Sequence, residues 1–359
     1  MIPVTKPYFP PIEKYQKYLS DIYQRQWLTN SGPLHQELTQ RLEDYLGVQN
    51  LLLVSNGTLA LQVAFKALGL QADGKVLTTP FTFAATPGAL AWEGLKPVFS
   101  DICPKSFNLA AGTLPENGNF SAILGVHVFG NPCETQAIQA YADARQAKVI
   151  YDAAHAFGVT QKGKSVLCAG DASTLSFHAT KLFHTVEGGA IVFRQREDFE
   201  RAKQMINFGL DSHGIPQTIG INAKLSEVHA AMGLAVLDDI QRITERRLAI
   251  VNQYKLNLQG CVGFQHWQEG ASINGAYMPV VLESEADINR CVKNLQEEQV
   301  YPRRYFYPSL NKAPAFYQQS DCSNSESLAN RILCLPLYTD LSTQEVDRIC
   351  HILKSGLSS

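Results

Sequence analysis

Between Leu51 and Phe193 short apolar runs alternate with stretches of helical periodicity, and no other feature restricts the possible folds as strongly. The runs predict strands at Leu51–Val54, Lys75–Thr79, Pro97–Ser100, Ser121–Val126 and Lys148–Tyr151. Helical spacing predicts helices over Thr58–Leu68, Thr86–Trp92 and Thr135–Ala144. Such a rhythm argues for an α/β domain with a mainly parallel sheet. Ligands bind such sheets beyond the carboxyl ends of the strands, and the segments opening at Ser55, Pro80 and Asp152 lie there.

The 359 residues suit one large domain of about 200 to 250 residues and a smaller one, divided here as 1–240 and 241–359. From Ser226 to about Tyr254 the apolar spacing reads as a single helix. At its full length of about 45 Å it would bridge the two domains. A strand over Tyr277–Leu282 and helices over Ala286–Glu298 and Ser342–Lys354 make the second domain a small α+β unit. Gly209–Gly220 is a loop long enough to be functional, and Gln318–Ser325 reads as a surface loop.

Hydrophobic content of 45%, 18% charged residues and a formal net charge of -2 leave no basic excess for nucleic acid or an anionic membrane. The eight cysteines form no C-x-x-C pair and have no histidines at zinc-ligand spacing, so free thiols and no metal are expected. The start Met1-Ile-Pro-Val-Thr-Lys-Pro lacks the pattern of a signal peptide, and no run of about eighteen apolar residues occurs. A cytoplasmic protein is expected. Asn56-Gly-Thr58 then matches a glycosylation acceptor by accident.

Four constellations carry chemistry. Ser176-Phe-His-Ala-Thr-Lys181 is followed by Glu187-Gly188-Gly189, which sets one lysine between a strand end and a double glycine leading into Ala190–Phe193. An amine presented this way can condense with an aldehyde once its ammonium is partly desolvated or held near other cations. Ser55-Asn-Gly-Thr58 fits a helix N-terminus that receives a phosphate, and equally a plain turn with its N-cap. Asp152, at the end of a buried strand, needs a cationic partner unless it only caps the next helix. Thr79–Thr86 carries Phe81 and Phe83, either of which could stack on a planar ring or pack in the core.

In order and rough spacing, Ser-Asn-Gly-Thr, Pro-Phe-Thr-Phe, Tyr-Asp-Ala-Ala-His, the lysine segment, Gly220-Ile-Asn-x-Lys-x-x-Glu227 and Arg303-Arg-Tyr-Phe-Tyr-Pro308 resemble the DegT/DnrJ/EryC1/StrS sugar aminotransferases. The likeness runs from Trp27 to Tyr338. It implies a type I pyridoxal-phosphate-dependent transferase fold, with a mainly parallel mixed sheet in the large domain and a small α+β C-terminal domain. It also implies a homodimer with shared active sites. Lys181 becomes the lysine that carries pyridoxal 5'-phosphate and Asp152 the partner of its ring nitrogen. Gly57, Thr58 and Ser176 become phosphate contacts, joined by Asn222 of the partner subunit. Phe83 takes the stacking position and His155 lies beside the ring. Substrate contacts fall to Thr29, His184, Lys224, Arg303, Tyr305 and Tyr307, with Arg304 in the same stretch. His184 stands where many relatives have Asn, and Lys224 where many have Arg.

The implied reaction moves an amino group from L-glutamate to a nucleotide-linked keto sugar, with Lys181 transferring the proton. The spelling of the lysine and asparagine segments resembles enzymes that aminate C4 of a dTDP-4-keto-6-deoxyhexose for O-antigen or other glycans. C3 amination and UDP or GDP carriers are the alternatives within the family. The dehydratase branch carries His where Lys181 stands, which argues against a lyase here. A cofactor-binding regulator would have no use for an intact lysine, aspartate and phosphate set. A nicotinamide oxidoreductase lacks its G-x-G-x-x-G.

Overall fold

A computed structural model describes residues 1–357, so the last two positions of the expected 241–359 domain lie outside it. Seven strands form the central sheet in the order Leu51–Val54, Gly189–Phe193, Ala172–Ser176, Lys148–Asp152, Ala122–Val126, Lys75–Thr78, Lys96–Phe99. Only Gly189–Phe193 runs antiparallel to its neighbours. Alternate residues of each strand face opposite sides. Leu51 and Leu53 therefore pack with Leu38, Leu42 and the Glu227–Leu237 helix, while Leu52 and Val54 pack with Ala64 and Phe65 of the Gly57–Ala67 helix. With both faces covered, the strands read as unbroken apolar runs.

The antiparallel strand sets up the site. Ala172–Ser176 and Gly189–Phe193 are adjacent and opposed, so the chain returns through residues 177–188 at the carboxyl edge of the parallel strands. The bonds Phe177 N–H to Gly188 O (2.8 Å), Ala179 N–H to Val186 O (2.7 Å) and Thr185 N–H to Phe177 O (2.9 Å) hold this excursion shut. Gly189 serves close approach rather than a bend: a Cβ there would lie 2.7 Å from the Asn56 carbonyl carbon.

The single helix expected over Ser226–Tyr254 is two, Glu227–Leu237 and Ile240–Leu258. The break falls at Asp238 and Asp239, whose carboxylates turn to the N-terminal helices. Asp238 meets Arg41 at 2.8 Å, and Asp239 meets Lys14 at 2.7 Å and the Tyr8 hydroxyl at 2.8 Å. Apolar spacing continues across the break, which hides it from a periodicity argument. The second helix, about 28 Å long, still joins two cores. Ile240 and Ile243 pack beneath the sheet, whereas Ile250, Val251, Tyr254 and Leu258 pack with Val280, Leu333 and Ile349. Strand Ile2–Pro3 pairs with Val300–Tyr301 and packs in that second core, although the expected division groups it with residues 1–240. The stretch read as a surface loop at Gln318–Ser325 enters a helix, Ser323–Arg331, whose first turn is capped by the buried Asp101 carboxylate. Among the described residues no helix is long and apolar enough to cross a membrane, and no cluster of His, Cys, Asp or Glu suits a metal.

Candidate active site

A cavity of about 850 Å³ opens where the parallel strands end. It gathers segments distant in sequence: Ser55–Thr58, Thr82 and Phe83, Asp152 to His155, Ser176 to Lys181, and Tyr277 with Tyr305 and Phe306.

At its floor Asp152 is buried, and its strand fixes it by main-chain pairing. One carboxylate oxygen accepts from the Thr86 hydroxyl at 2.8 Å and the other from the Ala154 amide at 3.1 Å. Because Thr86 donates to Asp152, the Thr82 hydroxyl at 2.8 Å donates to Thr86 in turn. Burial pushes the Asp152 carboxyl up, and the Thr86 hydroxyl, the Ala154 amide and the Lys181 charge oppose that rise. A cation docked against this carboxylate would complete the compensation. A protonated pyridine nitrogen is such a cation.

The Gly57–Ala67 helix points its first turn into the cavity. Asn56 caps it by accepting from Leu59 N–H at 2.9 Å, so the amides of Gly57 and Thr58 have no intrahelical carbonyl to bond. A Cβ on Gly57 would come within 2.8 Å of the Ser176 Cβ and 3.2 Å of its hydroxyl. The missing side chain is what lets helix and hydroxyl converge into a cradle for an anion.

Lys181 is half-buried and donates from Nζ to the Tyr277 hydroxyl at 3.2 Å. His155 is buried under it, with Nδ1 accepting the Phe129 amide at 3.1 Å, so its proton resides on Nε2. Burial, and then the Lys181 charge, hold the imidazole well below its usual value and therefore neutral. Phe129 adopts a φ of 57°, a strained conformation for this residue type that aims its amide at His155. The rings of His155, Phe129 and Phe306 lie nearly parallel in a triangle with centroids 6.0 to 6.1 Å apart, and Tyr277 tilts against His155 at 4.4 Å. Phe83 stands 62% exposed on the cavity wall, available to a planar ring, while Phe81 is the buried aromatic of that segment.

The residues expected at the substrate side scatter. Tyr305 lines the cavity, and Arg303 and Tyr307 are exposed outside it. Arg304 is occupied by Glu285 at 3.1 Å, the Ala329 carbonyl at 3.2 Å and the Tyr307 ring at 3.4 Å. His184 is turned away from the cavity: buried, it bonds the Tyr8 carbonyl through Nε2 at 2.7 Å and anchors the N-terminal segment. Lys224 holds Asn207 at 2.8 Å and lies over Phe208. Thr29 and Asn222 are exposed and do not line this chain's own cavity. Sequence reading missed Thr82, Thr86, His178, Glu187 and Tyr277 as cavity or floor residues. The four-residue spacing of Thr82 and Thr86 at the start of a helix was a usable signal; Tyr277 gave none.

Comparison with known proteins identifies the family. The profile of the DegT/DnrJ/EryC1/StrS aminotransferase family matches residues 12–354. Two relatives named dTDP-4-amino-4,6-dideoxy-D-glucose transaminase, from Shigella dysenteriae and Escherichia coli, are 40% and 36% identical, each over 98% of both chains. The solved structure of DesI in the presence of its TDP-sugar product superposes with a TM-score of 0.93 at 32% identity, covering 99% of this chain and 93% of that one. A buried carboxylate, a helix start opened by Gly57 and a lysine amine share one cavity in a chain that matches the family over residues 12–354. The chain belongs to the DegT/DnrJ/EryC1/StrS aminotransferase family and is a pyridoxal-phosphate-dependent transaminase.

Proposed function

We propose that this protein transfers the amino group of L-glutamate to C4 of dTDP-4-keto-6-deoxyglucose, forming dTDP-4-amino-4,6-dideoxyglucose for O-antigen or other glycans. The observation that carries the substrate assignment is the 40% identity, over 98% of both chains, to a transaminase named for that product. When bound, pyridoxal phosphate supplies a protonated ring that draws electrons from the reacting carbon and a carbon that carries nitrogen from donor to acceptor.

The protein does the rest. Asp152, steadied by Thr86, keeps the ring nitrogen protonated. The Gly57 and Thr58 amides and the Ser176 hydroxyl would receive the phosphate, and Phe83 and neutral His155 would hold the ring. Lys181, tethered within reach of the reacting carbon, removes a proton in one half of the cycle and returns it in the other. Tyr305, with Thr29, Lys224, Arg303 and Tyr307, forms the substrate side in this reading.

In this reading Lys224, and with it Asn222, would reach a site through a second copy. Phe208, Ile215, Ile219 and Ile221 are exposed apolar side chains on one segment, with Ile219 93% exposed. Covering them in a homodimer would bring Asn222 and Lys224, on the same segment, against a neighbouring cavity. We take the enzyme to act in the cytoplasm.

The test is to incubate the protein with pyridoxal phosphate, L-glutamate and dTDP-4-keto-6-deoxyglucose, and to locate the new nitrogen by mass spectrometry and NMR. A C4 amine is expected. An amine at C3, or turnover only with UDP- or GDP-linked sugars, overturns the substrate assignment and keeps the reaction class.

A further inference from the structure

Arg247 is a buried cation without an anion. On the Ile240–Leu258 helix it is 5% exposed, yet among the described residues no carboxylate pairs with it. Its guanidinium bonds the main chain instead, Nε donating to the Gly275 carbonyl and an Nη to the Ala276 carbonyl, both at 2.8 Å. Burying a charge against neutral acceptors is costly. Burial pulls the guanidinium down to about 10, with Tyr277 opposing.

The turn it grips is built for close contact. Gly275 has φ +68°, and a Cβ on it would sit 3.1 Å from the Arg247 Cβ. Asn274, also buried, ties the turn to the cofactor side: its side-chain amide donates to the His155 and Phe157 carbonyls at 2.9 and 3.0 Å, while its oxygen accepts Ala276 N–H at 3.0 Å. The next residue is Tyr277, whose hydroxyl meets Lys181 Nζ at 3.2 Å and whose ring leans on His155 at 4.4 Å.

We propose that Tyr277 is a further catalytic residue, the hydroxyl that aims the Lys181 amine at the reacting carbon, and that Arg247 and Asn274 are the positioning residues that hold it there. The proposal rests on the transaminase reading and extends it to a residue no sequence motif marks. Lys181 reaches the cavity on a flexible four-carbon stem, and once its amine is free a fixed hydrogen-bond partner keeps it in line for proton transfer. Because the clamp comes from the helix that joins the two cores, the C-terminal core sets the geometry of a lysine carried by the sheet.

The test compares Tyr277→Phe, Arg247→Met and the double variant with the parent holoenzyme. The half-reaction with L-glutamate alone is followed by loss of the bound cofactor's visible absorbance, so it reads the proposal whatever the sugar acceptor is. We expect the limiting rate of this half-reaction in Tyr277→Phe to fall by at least tenfold, with the half-saturating L-glutamate concentration within twofold. Arg247→Met should fall similarly, and the double variant no further, since both act through one hydroxyl. A second readout needs no turnover: amine-specific labelling of the cofactor-free protein, followed on the Lys181 peptide, should change at least twofold in rate for both single variants. If Arg247→Met fails to fold, Asn274→Ala takes its place. An unchanged half-reaction rate and labelling rate in Tyr277→Phe would overturn the proposal, and additive losses in the double variant would remove Arg247 from it.

Discussion

The residues proposed to hold the cofactor and those proposed to meet the substrate are placed by opposite strategies. On the cofactor side Asp152 and Ser176 sit at strand ends, and Gly57 and Thr58 at the helix start that follows one, so main-chain hydrogen bonding fixes their positions before any side chain contributes. Thr29, Arg303, Tyr307 and Lys224, proposed for the substrate, lie in turns and loop segments, mostly exposed, and none of them lines this chain's own cavity. The outer half is where relatives with one chemistry can differ in the sugar they accept.

Removing the central amine sharpens that contrast most. Lys181→Ala should lose about 10³-fold or more in turnover while its circular dichroism spectrum and melting temperature stay with the parent. The visible absorbance that a lysine-bound cofactor carries should vanish with it. Retention of more than a few per cent activity would break the claim that the inner half is indispensable.

Asp152→Asn comes next, with kcat down about 10²-fold and a separate signature in the cofactor-free protein. Burial raises the Asp152 carboxyl. Its contribution to stability is thus full in acid, below the ordinary carboxylate range, and is lost as pH rises through the folded value. The melting temperature of cofactor-free Asp152→Asn should gain on the parent between pH 4 and pH 7, and a gap that stays flat with pH would contradict the assigned environment. Gly57→Ala should weaken cofactor binding by about tenfold, as a Cβ forces the helix start and Ser176 apart. Equilibrium dialysis against pyridoxal phosphate measures this.

The smallest effect separates the two halves at a single residue. His184 occupies a motif position expected to touch substrate, but its imidazole holds the Tyr8 carbonyl. His184→Ala should lower stability by about 1 kcal/mol in urea denaturation and leave KM for the sugar within about twofold. A large rise in KM with unchanged stability would return His184 to the substrate side.

These cases also mark what the sequence disclosed. The alternation from Leu51 to Phe193 told the sheet, and the strand-end motifs told the inner residues, because local hydrogen bonding and burial leave a local trace in residue type. The Asp238–Asp239 break was invisible because apolar spacing runs through it. The orientation of His184 was hidden because its partner is the carbonyl of Tyr8, and a main-chain acceptor has no side-chain identity to read. Tyr277 and Arg247 were missed for a related reason: each is placed by contacts across large sequence distances, and neither carries a motif.

The most direct test of the central claim is to reduce the holoenzyme with borohydride and map the lysine that retains the cofactor. The cofactor mass should appear on the peptide containing Lys181, and that labelling should disappear when L-glutamate is added before reduction. Cofactor mass on another lysine, or none on any, would contradict that claim.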